Sequence, residues 1–578
     1  MIEGLGRLSF NTQRIILILG CLVLFIAWFT RVPLTEIDEV RFSEATREML
    51  ASGNYIIPHF NGVPRYQKPI LYYWVQSVSV RTLGVNEFAA RLPSGLIALA
   101  MVLLLHAFLW RRLSARSPAK DASALMRSRG AAFLGACALA TMPLVAIWAR
   151  AATTDMTLTC CMTIALLALL QAELDGAGHR WYWLAAGAMG LAFLTKGPIG
   201  LVLPGLVWLL YHLRQRDLGV EMRRVPWIVV ALIFLTVAAP WYLATWIYDG
   251  PGFIQHFFLV ENIGRFTSIQ EAHGTAHRGL GLLLYLPIAL VSLFPYSPFL
   301  LRDLVSPFAG VRALQEDNAL ARTRRFAWVW LLTIIGFFAL SKTQLPSYIQ
   351  GVAPAVAILF ALHVLGRVDP LRDNGSRGRW VELTLLGVLT ILFVAAPLVL
   401  LLGGKVSASS GNTTLPHPTT EILAGVIAVF GLMLFIGLVT TGIRNRQDTM
   451  VCWLMVGWGA LLAVLLVGFA PLYIQANYGS PVEAGLFLRQ MPATVPVLYV
   501  ADSPSEDVVY YARRKIEWYP VKDGDVFRVL RRLRAIHGEV IILTDHAGLA
   551  LLREIGEVTI LKQAGNILVV RNNTTHMK

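Results

Sequence analysis

The chain has 578 residues, of which 56% are hydrophobic and only 15% are charged, and its mean hydropathy is +0.60. This composition excludes an ordinary soluble protein, and repeated apolar runs of about 20 residues predict a polytopic helical membrane protein. The net charge of +15 does not indicate a nucleic-acid partner, because most lysines and arginines fall in loops between the predicted spans.

Hydropathy predicts about thirteen membrane spans, which together form one transmembrane domain over residues 1–471. The first is expected to be a retained span and not a cleaved signal, since no A-x-A site follows it. The five cysteines all lie in apolar segments and are expected to be buried thiols, without disulfides or thiolate-bound metal. The approximate limits of the spans are 14–30, 95–110, 131–149, 153–172, 181–195, 197–212, 226–247, 280–300, 326–340, 346–365, 380–402, 420–441 and 450–471.

Loop charge predicts the orientation of these spans. Arginine and lysine concentrate at the N-terminus and in alternate loops, and the positive-inside rule places that side in the cytoplasm. The opposite side receives two large loops, 31–94 and 248–279, together with the tail. The basic loops are 111–130, 213–225, 301–325, 366–379 and the segment around 444–446.

The first outside loop contains a stretch, 33–74, that is too polar to cross a bilayer. Thr35 is placed to cap a helix, an apolar stripe follows at near-helical spacing, and Ser52-Gly53-Asn54 ends it. The pattern predicts a juxtamembrane helix that holds acids and bases beside lipid. An ordinary interfacial helix with solvated charges has the same pattern. The candidate site residues on this helix are Asp38, Glu39, Arg41 and Glu44.

Two cations, Arg65 and Lys68, stand just before Pro69, which opens the next predicted helical stretch. A helix N-terminus with Arg and Lys beside it is suited to bind phosphate. The alternative is that Lys68 snorkels from an interfacial helix.

Ionisable residues also lie at the outer ends of later spans. Asp155 begins the fourth span, where it faces either a cavity or the positive end of its own helix. Lys196 lies in a predicted tight turn at 195–198, and Lys342 is a further phosphate candidate. Tyr348 is either a site residue or a member of an interfacial aromatic belt.

The second large outside loop carries the candidate site residues Glu261, Asn262 and Arg265. It also carries Glu271, His273 and His277, and two histidines four residues apart with a carboxylate have the ligand types of a divalent metal site. The alternative is that these are ordinary polar residues of a loop. A divalent ion is the one cofactor that the sequence suggests.

The tail, residues 472–578, alternates short apolar strands with helices, which predicts a small α/β domain on the outside. It has neither a glycine-rich phosphate loop nor a catalytic triad, so a lid role, partner binding and structural support all stay open. The predicted strands are 495–500, 516–520, 540–544, 558–561 and 567–570, and the predicted helices are 505–513, 526–536 and 548–555.

Acids and cations thus converge on the outer membrane surface, which suits a reaction on a lipid-linked phosphate. Four segments, DEVRFSEATREMLASGNYIIPHFNG, QKPILYYW, HFFLVENIGRF and SKTQLPSYI, resemble the integral-membrane glycosyltransferases of the GT-C type. The closest resemblance is to the branch of the lipid A 4-amino-4-deoxy-L-arabinose transferases, related to protein O-mannosyltransferases. One departure is Gln67, where that branch commonly has an acid before the Lys-Pro pair.

The resemblance implies an all-α GT-C membrane domain with periplasmic juxtamembrane helices, in a bacterial inner membrane. It implies an undecaprenyl-phosphate-linked aminoarabinose donor, a lipid A or precursor phosphate as acceptor, and a monomer. Asp38 matches the catalytic aspartate of the first loop, and Lys68 matches a ligand of the donor phosphate, with Arg41 nearby. Arg265, Lys342 and Tyr348 are carried over more loosely, by their motif neighbours, as donor-binding residues. Arg65 is a further candidate for binding the donor, and the candidates for the substrate cavity are Glu39, Glu44, Asp155, Lys196, Glu261 and Asn262.

Two alternatives stay open at this point. A GT-C enzyme of the same build would move another sugar, such as mannose or galacturonic acid, onto protein or lipid. A lipid transporter is disfavoured, because transporters place ionisable residues near the bilayer midplane, often in repeated halves, and this sequence shows neither feature.

Overall fold

A computed structural model describes most of the chain, and helices dominate it. The description leaves out residues 1, 35–36, 116–120, 177, 265–280, 306–318, 342–344, 368–375, 403–416, 444–446, 502–504, 521–525, 537 and 574–578.

The helices before the tail sheet fall into long apolar spans and shorter connecting pieces. The α-helices are Ile2–Arg7, Phe10–Cys21, Ile37–Ser52, Leu71–Leu83, Glu87–Ser114, Ala122–Thr141, Pro143–Trp148, Thr154–Asp175, His179–Lys196, Ile199–Gln215, Leu218–Arg224, Trp227–Asp249, Gly252–Gln255, Gly281–Ser292, Ser297–Val305, Ala319–Ala339, Ala353–Arg367, Ser376–Leu402, His417–Ile443, Gln447–Ala463 and Ala470–Arg489. Short π or 3-10 turns lie at Leu22–Ile26, Phe29–Arg31, His256–Gly264, Pro346–Val352 and Val464–Phe469.

Within the described residues, six helices are long and apolar enough to cross a membrane, which agrees with a multi-pass membrane protein. The predicted total of about thirteen spans stays a prediction. The six are Glu87–Ser114, Thr154–Asp175, Trp227–Asp249, Pro346–Gly366, Ile422–Thr441 and Thr449–Ile474.

Some predicted spans differ from the helices observed. The span predicted at 131–149 divides at Pro143, and the span predicted at 280–300 divides before Ser297, at Pro295. Proline lacks an N–H and disfavours helical backbone in the preceding residue, so a helix tends to break there. The helix Ala470–Arg489 follows the last predicted span, 450–471, without a loop. Helical structure therefore continues past residue 471, where the membrane domain is expected to end.

The helix Ile37–Ser52, here called the loop helix, confirms the element predicted in the first outside loop. Its stripe of Val40, Phe42, Ala45 and Met49 is fully buried. The helix ends at Gly53, whose φ of +72° is the left-handed conformation that glycine adopts without a steric penalty.

A small hairpin, which the sequence analysis did not predict, follows the loop helix. Strands β1 (His59–Phe60) and β2 (Val63–Pro64) pair antiparallel around Asn61-Gly62. Both turn residues have positive φ, 56° and 75°, as a two-residue type I′ turn requires.

Strands β3 (Val497–Ala501), β4 (Glu517–Pro520), β5 (Glu539–Thr544), β6 (Val558–Ala564) and β7 (Ile567–Asn573) form one mixed sheet. Its order is β4-β3-β5-β7-β6; β3 runs parallel to β4 and β5, and β7 runs antiparallel to β5 and β6. The register places Val497 opposite Ile541, and Ile541 opposite Arg571. Three helices connect or flank the strands, close to their predicted positions: Asp507–Ala512, Val526–Ala535 and His546–Ile555.

This sheet unit docks on the first outside loop through hydrogen bonds and a small apolar contact. Asn61, in the hairpin turn, donates to the carbonyl of Ile516 over 2.7 Å and accepts from its N–H over 2.9 Å. The Tyr511 hydroxyl accepts from the Leu34 N–H at 2.9 Å, and Arg513 donates to the Val85 carbonyl at 2.7 Å. The tail therefore fixes the loop that carries the candidate site.

Candidate functional site

A cavity of about 480 Å³ lies beside the loop 31–94, between the ends of several membrane helices. One part of its wall is apolar and the other is polar, so its shape and chemistry match an amphiphile. The apolar residues are Leu158, Met162, Pro198, Ile199, Val202, Leu203, Phe257, Phe258, Phe337, Phe338 and Gly351. The polar residues are Gln67, Lys68, Asp155, Thr159, Lys196, Glu261, Asn262, Ser341, Ser347 and Tyr348.

The polar end contains an ion pair between Asp155 and Lys196. The Lys196 ammonium donates to a carboxylate oxygen of Asp155 over 2.5 Å and lies 5.1 Å from the centroid of the Tyr348 ring. Asp155 also accepts a hydrogen bond from the Thr153 hydroxyl at 3.3 Å. Three residues predicted separately from distant parts of the chain therefore meet at one point.

The backbone at Gly197 allows this close packing. Its φ of +74° favours glycine, and a Cβ there would lie 2.5 Å from the ring of Phe257, which lines the cavity. A side chain at this position would push Phe257 out of place and change the shape of the cavity.

Asp38 begins the loop helix, and about half of its side chain is exposed. Its carboxylate forms an ion pair with Arg65 over 3.6 Å. Partial burial favours the protonated form of Asp38, but the positive charges of Lys68 and Arg65 outweigh it and hold the pKa below its ordinary value. Lys196 and Arg41 act in the same direction, so Asp38 is a carboxylate at neutral pH.

Arg65 is almost fully buried, with its guanidinium 4.7 Å from the ring centroid of Phe42. Its Nε and Nη1 atoms are buried and have no hydrogen-bond partner among the residues that the structure describes. Buried donors without acceptors are costly, so an anionic oxygen placed there would be stabilised.

Arg41 lies three residues after Asp38 and turns toward the tail. Its Nε and Nη2 atoms both donate to the carboxylate of Glu506 in a bidentate ion pair. The sequence does not predict this role for Glu506, because Glu506 is 465 positions from Arg41 and no local pattern connects the two residues.

Glu39 and Glu44, expected in the substrate cavity, do not line it in the described structure. Glu39 is buried and accepts two 2.8 Å hydrogen bonds from Arg91 and one of 2.7 Å from the Ala152 N–H. Glu44 is buried and accepts two from Arg47, at 2.8 and 2.7 Å. Glu39 fixes the loop helix to Arg91 and to the backbone at Ala152, whereas Glu44 pairs within the loop helix itself, so both roles differ from the one expected.

Several predicted residues lie outside the described part of the chain. These are Arg265, Glu271, His273, His277 and Lys342, so the expected metal site and two of the expected phosphate ligands stay predictions. Among described residues, the ligand atoms of Glu173, His212 and Glu221 lie within 4.8 Å of one another. Each acid also pairs with an arginine, Arg322 or Arg224, and this cluster is far from the cavity, at the other end of the helix that begins beside Asp155.

Comparisons with known proteins agree with this architecture. Residues 67–243 match the family model described as dolichyl-phosphate-mannose-protein mannosyltransferase. The crystal structure of ArnT from Cupriavidus metallidurans bound to undecaprenyl phosphate superposes with a TM-score of 0.77 at 22% identity, covering 98% of this chain and 99% of that one. The chain therefore shares its fold with ArnT over nearly its whole length.

Several relatives share 30% identity with the chain. One is an undecaprenyl phosphate-alpha-4-amino-4-deoxy-L-arabinose arabinosyl transferase of Pseudomonas fluorescens, aligned over 61% of this chain and 56% of its own length. Another is an uncharacterized protein of Aquifex aeolicus, aligned over 58% of this chain and 69% of its own length. The chain therefore belongs to the same family as the Aquifex aeolicus protein, and it is similar to the arabinosyl transferase of Pseudomonas fluorescens over little more than half of that protein's length.

Proposed function

We propose that this protein transfers 4-amino-4-deoxy-L-arabinose from undecaprenyl phosphate to a phosphate of lipid A or its precursor. The observation that carries the proposal is the amphiphilic cavity, whose polar end holds Lys68 and Lys196, with Asp38 close by. The modified lipid A gains an amine, which lowers the negative surface charge and so gives resistance to polymyxin and other cationic peptides.

The proposal includes a topology. The N-terminus is cytoplasmic, about thirteen helices cross the bacterial inner membrane, and the cavity opens on the periplasmic side. The tail, 472–578, is a periplasmic α/β domain, and the protein works as a monomer. The arginine-rich loops on the other side of the membrane support this orientation.

The donor would lie with its polyprenyl chain along the apolar wall and its phosphate at the polar end of the cavity. Lys68 is the residue best placed to bind that phosphate, because it lines the cavity and its charge also acts on Asp38. Arg265 and Lys342 join it in our proposal on the strength of the family resemblance alone. The Asp155–Lys196 pair, with Tyr348, fixes the shape of the polar end.

The chemical step is a displacement at the anomeric carbon of the sugar. An oxygen of the acceptor phosphate forms the new bond to that carbon, the bond from carbon to the donor phosphate oxygen breaks, and its electron pair leaves with undecaprenyl phosphate. An acceptor phosphate is already ionised at neutral pH, so no proton has to be removed. Positioning and charge stabilisation therefore account for catalysis.

Asp38 stabilises the positive charge that develops at the anomeric carbon and orients the donor sugar in this scheme. A general-base role is not needed with a phosphate acceptor. The cations around Asp38 keep it ionised, which is the state this role requires. The unpartnered donors of Arg65 would bind a phosphate oxygen beside it.

Glu506 is a positioning residue in this proposal, because its ion pair fixes Arg41 one helical turn from Asp38. Glu506→Gln is expected to lower kcat roughly three- to tenfold, a modest effect because the pair is partly exposed. The affinity for undecaprenyl phosphate is expected to stay unchanged. Steady-state kinetics and a binding titration separate the two quantities.

Glu517→Gln is the matched control, since Glu517 lies in the same tail and also pairs with an arginine, Arg532, over 2.7 Å. An unchanged kcat in Glu506→Gln, or an equal loss in Glu517→Gln, would remove Glu506 from this role.

The proposed reaction is tested with purified protein in nanodiscs, lipid A and a set of undecaprenyl-phosphate-linked sugars. The expected product is lipid A with one added aminopentose on a phosphate, formed from the aminoarabinose donor. Transfer of mannose or galacturonic acid instead would support a glycosyltransferase but show that its sugar is not aminoarabinose.

A further inference from the structure

A second cavity, of about 440 Å³, lies among three membrane helices at the end far from the cavity that holds Lys68 and Lys196, here called the donor cavity. The helix Thr154–Asp175 connects the two sites, with Asp155 in the first and Asp175 in the second. Twenty residues of α-helix span roughly 30 Å, which is the thickness of the hydrocarbon core. The second cavity, here called the basic groove, is therefore at the opposite membrane interface.

On each of the three helices, the residues that line the groove are apolar toward the middle of the bilayer and polar toward the end of the helix. This layering matches a lipid with its acyl chains in the membrane and its head group at the surface. The apolar residues are Leu104, Ala107, Phe108, Ile164, Leu167, Ala168 and Leu184, and the polar end has Arg111, Arg112, Gln171, Asp175, Arg180 and Trp181.

The charge of the groove is strongly positive. It has three arginines and one acid, and Asp175 is already bound by Arg112 at 2.7 Å and by Trp181 at 3.0 Å. Arg111 and Arg180 are exposed, and the guanidinium of Arg180 lies 5.0 Å from the centroid of the Trp181 ring. The guanidinium groups of Arg111 and Arg180 are therefore placed to contact an anionic ligand.

We propose that the basic groove binds an anionic phospholipid of the leaflet opposite the donor cavity. Arg111 and Arg180 contact the phosphodiester, and the acyl chains lie against the apolar helix faces. A zwitterionic lipid has an ammonium group that the arginines repel, so the groove discriminates by head-group charge. The proposal does not depend on the sugar transferred, because the two sites are separated by the membrane.

The test uses the full chain in nanodiscs that contain equal amounts of phosphatidylglycerol and phosphatidylethanolamine. Native mass spectrometry of the released protein is expected to show one retained phosphatidylglycerol. The double variant Arg111→Ala/Arg180→Ala is expected to weaken phosphatidylglycerol binding roughly 30-fold in a detergent titration, because each guanidinium near an anionic lipid strengthens binding about fivefold.

Arg214→Ala is the matched control, because Arg214 is exposed at the end of the helix Ile199–Gln215 and does not line the groove. It is expected to bind phosphatidylglycerol as the wild type does. Equal retention of both lipids by the wild type, or an equal loss in both variants, would overturn the proposal. Displacement of the bound lipid by undecaprenyl phosphate at equal concentration would overturn it as well, since the groove would then be a second polyprenyl-phosphate site.

Discussion

Asp38→Asn is expected to reduce sugar transfer about 100- to 1,000-fold while the protein stays folded and membrane-inserted. The amide keeps the shape of the side chain but removes the negative charge that, in the proposed mechanism, faces the developing charge of the sugar. About half of the side chain is exposed, so the fold does not depend on it. Transfer is measured with purified variant and lipid A, and the helical content by circular dichroism.

Glu48→Gln serves as the control for Asp38→Asn, because Glu48 lies on the same helix and accepts a hydrogen bond of 3.1 Å from the Gly62 N–H. Glutamine retains an oxygen for that bond, so near-normal transfer is expected. If Asp38→Asn also transferred sugar at a near-normal rate, Asp38 would have no part in the chemistry.

Lys68→Ala is expected to weaken binding of undecaprenyl phosphate by about ten- to a hundredfold. A charge-assisted hydrogen bond to phosphate is worth roughly 1.5–3 kcal/mol, and Lys68 lies at the polar end of the cavity, partly away from water. Turnover is expected to fall too, because the same phosphate anchors the donor and leaves in the reaction. Lys68→Arg is expected to restore binding only in part, since a planar guanidinium does not replace a compact ammonium.

The measurement is a titration of undecaprenyl phosphate against purified wild type and variants. Lys515→Ala is the control, because Lys515 is an exposed cation of the tail that does not line the cavity. Equal affinities in wild type and Lys68→Ala would show that Lys68 only snorkels toward the membrane surface.

Local patterns were enough to predict the loop helix. Its apolar stripe and the Ser52-Gly53-Asn54 stop are both local, and the helix observed is Ile37–Ser52. The hairpin at Asn61-Gly62 also has a local signal, since Asn-Gly favours a type I′ turn, but its strands are only two residues long. Short strands carry no alternation to detect, which is why the hairpin was missed.

No local sequence pattern predicts which residues from distant parts of the chain come into contact. Asp155, Lys196 and Tyr348 were each chosen for their position at a span end, yet only the packing of three helices brings them together. Glu39 is also expected in the cavity, but it is adjacent to Asp38 on a helix, where neighbouring side chains point about 100° apart. Its side chain meets Arg91 instead, 52 positions later.

Transfer of aminoarabinose to lipid A can be measured by mass spectrometry of lipid A from cells with and without this protein. Both strains need to make the undecaprenyl-phosphate-linked donor and lack other transferases. We expect lipid A with an aminopentose on phosphate only in cells that contain the protein, and its loss in cells with Asp38→Asn. Unmodified lipid A in both strains, with the donor present, would contradict it.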